Sequence, residues 1–113
     1  MSLKELPSYA NLNADDLAAK IGLNVKHIPI LIQSFTQESA TILENLQKAI
    51  TEKDYEQIAQ HAHSIKGSAG NLKFDDVYEL AKEVEASAND KNDSFPYSEA
   101  YELLNTSIKS ISL

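Results

Sequence analysis

Apolar residues recur at spacings of three and four along almost the whole of this 113-residue chain, and strict alternation is nearly absent. That period belongs to helices with one buried face, so the pattern predicts an all-α protein. A short first helix over about 14–21 carries Ala14, Leu17, Ala18 and Ile21 on one side, with Asn13 as N-cap, Asp15 and Asp16 in its first turn and Gly22 closing it. A long second helix over about 25–52 lines up Ile28, Leu31, Ile32, Phe35, Ile42, Leu43, Leu46, Ala49 and Ile50. Pro29 fits only a first turn, so this helix begins either loosely at Val25 or properly near Ile28.

A third helix, over about 55–71, follows Asp54 as N-cap. The fourth, over about 76–89, takes Asp75 as its cap and turns Val77, Leu80, Ala81, Val84 and Ala88 inward, and the fifth, over about 97–111, does so with Ala100, Leu104, Ile108 and Ile111. The one clear loop is "NDKNDSFP" between the last two helices. Long amphipathic helices on short connections predict an antiparallel up-down-up-down four-helix bundle, with the short N-terminal helix as a cap and residues 1–113 as one domain.

Composition narrows the function classes. Cysteine is absent, which removes disulfides, thiolate nucleophiles and cysteine-bound metals and fits a cytoplasmic protein. No apolar run has the length of a signal peptide core or a membrane span, so neither export by that route nor membrane insertion is expected. Seventeen acidic residues against ten basic give a net charge of −7, the wrong sign for a partner bearing a phosphate backbone or an anionic membrane surface.

One stretch departs from what helix stability asks for. "HAHSIKGSAGNL", residues 61–72, holds two glycines in a helix interior, where each costs about 1 kcal/mol relative to alanine. At about 100° per residue, Ile58, Ala62, Ile65, Ala69 and Leu72 cluster around one direction, the core. His63 then points about 140° away from it, with Ala59 one turn before, Lys66 and Gly67 one turn after and Gly70 two turns after. The predicted surface is an imidazole on ground cleared by small residues, with an ammonium beside it. Neutral imidazole is a nucleophile able to attack phosphorus, and an ammonium one turn away suits the phosphoryl group it would receive. His61 is about 200° round the helix from His63, so the two cannot chelate one metal in cis and His61 reads as a groove-edge residue. His27 reads as a helix-end surface residue, and the tyrosines as core rim.

"AHSIKGSAGNL" resembles the signature of histidine-containing phosphotransfer (HPt) domains, a histidine followed at three and four residues by lysine and glycine, then small residues and an apolar one. The segments "LIQSFTQESATILENLQKAI" and "DDVYELAKEVEASA" are similar to that family's second and fourth helices. The resemblance implies a phosphorelay carrier and not an enzyme in its own right: His63 is the phosphorylated residue, Lys66 the phosphate neighbour and Gly67 the access position. It implies response-regulator receiver domains as partners, with a hybrid histidine kinase as a further one, and places the magnesium ion in the receiver, leaving this chain without a cofactor or metal. A monomer is expected. Ala59, Gly70 and the exposed Ile30 are the candidate docking contacts, Ile30 having the plainer reading of a single exposed apolar residue. The family usually has glycine and then a small or apolar residue after the position of Leu72, where this chain has Lys73 and Phe74, and a left-handed C-cap there suits glycine better than lysine. The competing class is a helical adaptor that binds signalling partners without being phosphorylated. A di-metal carboxylate bundle would need Glu-x-x-His pairs on two helices, and none occurs.

Overall fold

Where the apolar period runs, the computed structural model, which describes residues 3–113, has helix: α1 (Ala14–Ile21), a 3-10 turn (Val25–His27), α2 (Ile28–Thr51), α3 (Tyr55–Asn71), α4 (Asp75–Asn89) and α5 (Tyr97–Lys109). No strand occurs among the described residues. The pairs α2–α3, α3–α4, α4–α5 and α5–α2 all pack together and close the ring of an antiparallel four-helix bundle, with α1 lying against α2. None of the described helices is long and apolar enough to cross a membrane.

Side-chain caps open α1, α3 and the 3-10 turn. Asn13 and Asp54 accept the backbone N–H groups of Asp16 and Gln57, which opens α1 and α3 where the sequence predicts. Asn24 accepts from Lys26 and starts the 3-10 turn, so regular helix begins at Ile28 with Pro29 in the first turn, where its missing N–H leaves no bond unmade. Two expectations need correction. Asp75 is not a cap: α4 begins on it, and Phe74 precedes the helix with its carbonyl accepting from Tyr78 N–H at 2.9 Å. Phe74 takes that place because its ring is needed inside, 2% exposed, with centroids 5.4 Å from Phe35 and 4.8 Å from Tyr9. The Asp75 carboxylate then lies in the first turn, at the positive end of the helix dipole.

The fifth helix ends at Lys109, not at 111. Beyond it the N-terminal strap takes over the backbone, with Leu12 N–H donating to the Ser112 carbonyl at 2.8 Å and Ser112 N–H to the Tyr9 carbonyl at 3.1 Å. Ile111 is still buried, from the chain outside the helix. On α2 the buried line is Ile28, Ile32, Phe35, Ser39, Leu43, Leu46 and Ala49, while Leu31, Ile42 and Ile50 flank it half-buried.

Helix C-termini show why lysine replaces glycine after Leu72. Lys53, Lys73 and Lys91 stand just beyond α2, α3 and α4 with φ of 53°, 64° and 52°, all in the left-handed region. In each case the next residue's N–H reaches back five positions, from Asp54 to Ala49, Phe74 to Ala69 and Asn92 to Ser87, all at 2.9 Å. These bonds satisfy orphaned carbonyls, and an unbranched side chain ending in an ammonium suits the negative end of a helix. Only α1 closes on a glycine, Gly22 at φ 83°. Lys73→Gly is expected to raise stability by about 0.5 kcal/mol, the strain relieved in the left-handed region less the extra entropy of an unfolded glycine. Thermal unfolding measures it, and a lower Tm would show that the charge at the helix end outweighs the backbone strain.

Candidate functional site

The site is built on the seam between α3 and α4, the most closely packed pair of helices. Both carry buried alanines, Ala59, Ala62 and Ala69 on α3 and Ala81 and Ala88 on α4, which let the two backbones approach. Two contacts define the register. His63 meets Glu85, and a Cβ added to Gly70 would stand 3.1 Å from the Tyr78 ring. His63 and Gly70 are two turns apart on α3, Tyr78 and Glu85 two turns apart on α4, in reversed order.

That register corrects two residues of the exposed patch. The flank of α3 that carries His63 is also the flank α4 covers, so the buried arc is wider than the apolar stripe alone implies. Ala59 is only 7% exposed, and Gly70 is half-buried against Tyr78. Neither is open ground, and Gly70 makes room for the Tyr78 ring of α4. Gly67 differs: it is exposed, its φ is ordinary, and an added Cβ would meet nothing within 4 Å. Nothing inside the fold asks for a glycine there.

His63 stands as the wheel predicts, its side chain 66% exposed. It is not solitary. Its Nδ1 lies 2.8 Å from Oε2 of Glu85, and Lys66 Nζ lies 2.7 Å from the other oxygen, Oε1. A carboxylate can only accept, so the contact places the imidazole proton on Nδ1 and leaves Nε2 with the free lone pair. Lys66 therefore stands next to His63 through a shared carboxylate, with its ammonium tied to Glu85 and its side chain 24% exposed. Glu85 is the residue that reading α3 by itself misses. Its signal lies on α4, where it adjoins Val84 at the edge of the apolar stripe, yet its partner could be known only from the register.

The remaining candidates lie elsewhere. Ile30 is 64% exposed as expected, but it sits in the first turn of α2, roughly 20 Å along the bundle axis from the level of His63 by helix rise. The other exposed apolar residues near it in the chain are Leu23 and Val25. His61 is half-buried in a cleft with Asn45, Lys48, Glu52 and Gln57, and His27 is exposed in the 3-10 turn.

The Hpt domain family matches residues 30–111 of this chain, a span that takes in α3, α4 and the whole His63 cluster. Comparison with curated proteins and with solved structures gives no match.

The shared carboxylate has a signature in pH. The Lys66 ammonium, opposed by the partial burial of the group and aided by His63, holds Glu85 below the usual carboxylate range, and Glu85 in turn holds Lys66 above the usual lysine value. A carboxylate lowered in the folded state contributes stability that is complete above its unfolded value and lost as pH falls through the folded one. The raised lysine contributes at neutral pH and loses its part only as pH rises through its own folded value, at the alkaline end. Between about pH 6 and about pH 3, Glu85→Gln is therefore expected to lose less stability than the wild type. Equal losses in thermal melts across that range would mean that the bridge contributes nothing to folding.

Proposed function

Because the chain belongs to the Hpt domain family, a family of phosphorelay carriers in two-component signalling, we propose that His63 is its phosphoacceptor, with Nε2 as the nucleophilic atom. The observation that carries this is the pairing of an exposed imidazole, held at Nδ1 by Glu85, with a glycine one turn on that the fold itself does not require. The donor is the phosphoaspartate of a receiver domain or a hybrid kinase. The Nε2 lone pair attacks phosphorus, the bond from phosphorus to the aspartyl oxygen breaks, and the aspartate leaves as a carboxylate. The Nδ1 proton stays on the ring, whose positive charge then faces Glu85. Transfer onward reverses these bonds with a second receiver.

In this reading the receiver brings the magnesium ion and the acidic pocket, and this chain brings the nucleophile and the surface. Lys66 supplies positive charge one turn from the phosphoryl group, and Gly67 gives the partner close access to it. Ile30, with Leu23 and Val25, serves as an apolar contact away from the chemistry. The carrier works as a cytoplasmic monomer without a cofactor of its own.

Two variants test the proposal. His63→Gln is expected to abolish uptake from a phosphorylated receiver, read by mass spectrometry under alkaline conditions, while changing stability by no more than about 0.5 kcal/mol plus the small loss of the Glu85 contact. Full uptake by this variant, or phosphate mapped to His61 or His27, would overturn the assignment to His63, whereas a wild type that takes up no phosphate would return the protein to the adaptor class. Gly67→Gln is expected to raise stability by up to about 1 kcal/mol, since glycine is a poor helix former and the space is open, yet to slow transfer by obstructing the partner. Normal transfer by Gly67→Gln would remove the access role.

A further inference from the structure

Glu85 meets His63 at Nδ1, at 2.8 Å, and not at Nε2, the atom assigned to attack phosphorus. Resting on the carrier reading, we propose that Glu85 is a positioning residue that retains the Nδ1 proton of phosphorylated His63 and thereby extends outward transfer to higher pH.

The argument is one of leaving groups. When an acceptor carboxylate oxygen attacks phosphorus, the Nε2–phosphorus bond breaks and its electron pair returns to the ring. With the proton on Nδ1 the departing group is neutral imidazole. Without it, the departing group is an imidazolate anion, far more basic and far slower to leave. Phosphohistidine therefore transfers well only while Nδ1 is protonated, and that proton faces the Glu85 Oε2 atom at 2.8 Å. The phosphorylated ring with its proton is locally cationic, and a carboxylate beside it favours that form over the deprotonated one.

The charges around the proton are few. On α4, Glu85 is the carboxylate and Tyr78 stands near enough to act on Lys66; on α3, Lys66 takes the second carboxylate oxygen. No ion pair from α2, the other helix packed on α3, reaches these groups among the described residues. Glu85 is kept ionised by Lys66 well below neutral pH, so its charge is constant over the range in which the phosphorylated ring titrates. The same bridge explains why a lysine and a histidine share one acid: Lys66 holds the carboxylate in place, and the carboxylate holds the ring.

The test loads the full chain with phosphoramidate, a small donor of phosphoryl groups to histidine, and follows the phosphohistidine resonance by phosphorus NMR from about pH 5 to about pH 9, with His63→Gln identifying the signal. In Glu85→Ala the midpoint for loss of the Nδ1 proton is expected about half a pH unit below that of the wild type, in line with a partly exposed ion pair. Glu85→Gln, which fills the same space without the charge, is expected to move it in the same direction. Above both midpoints, transfer from the loaded variants to one receiver should fall about threefold relative to the wild type, while at low pH the rates converge. Equal midpoints in loaded wild type, Glu85→Ala and Glu85→Gln overturn this inference alone. A wild type that takes phosphate on His63 neither from phosphoramidate nor from a phosphorylated receiver overturns the carrier reading and this inference with it.

Discussion

The close approach of α4 to α3 is the constraint from which the site follows. Alanine and glycine at the seam allow the approach, and the turn through Leu72, Lys73 and Phe74 sets how far α4 is displaced along α3. Phe74 fixes that turn from the inside, wedged between Phe35 of α2 and Tyr9 of the N-terminal strap. A shift of α4 by one residue would rotate Glu85 by about 100° and carry it away from His63. Packing far from the histidine thus decides which atom of the histidine faces the solvent.

This arrangement separates two demands on one helix. The inner side of α3 is ordinary core, with Ile58, Ala62, Ile65 and Ala69 at or near full burial. Its outer side gives up helix stability at Gly67, where an alanine would fit without a clash. That concession of about 1 kcal/mol has no return inside the fold, and the access role proposed for Gly67 would supply one. Gly70, read from the wheel as part of the same clearing, answers instead to the Tyr78 ring. Two glycines three residues apart therefore stand in different surroundings, one against a neighbouring helix and one in open space.

The helix ends carry a comparable lesson. Lysine in the left-handed position beyond α2, α3 and α4 is a local arrangement repeated three times, with the same bond back over five residues each time. Where a glycine is the ordinary choice, this chain accepts some backbone strain and places an ammonium at the negative end of each helix. In a chain of net charge −7 those ammonium groups also offset acidic neighbours.

The helices, their caps at Asn13 and Asp54, the inward faces and the outward direction of His63 were all legible in the sequence, because each depends on residues within a turn or two of one another. The Hpt resemblance in residues 62–72 was legible for the same reason, as a local motif. What depends on two distant segments was not. Ala59 and Gly70 lie off the apolar stripe of α3, and their burial, against the Tyr78 ring of α4 for Gly70, comes only with the packing of neighbouring helices. Asp75 has the chemistry of a cap, but burial of Phe74 moved the helix start onto it. Glu85 is one of many glutamates on a solvated helix until the bundle closes. Then it stands 2.8 Å from Nδ1 of His63 and 2.7 Å from Nζ of Lys66, and the tautomer of the histidine is decided by a contact across 22 residues of chain that helical periodicity, which repeats every turn and knows nothing of its neighbour's register, does not contain.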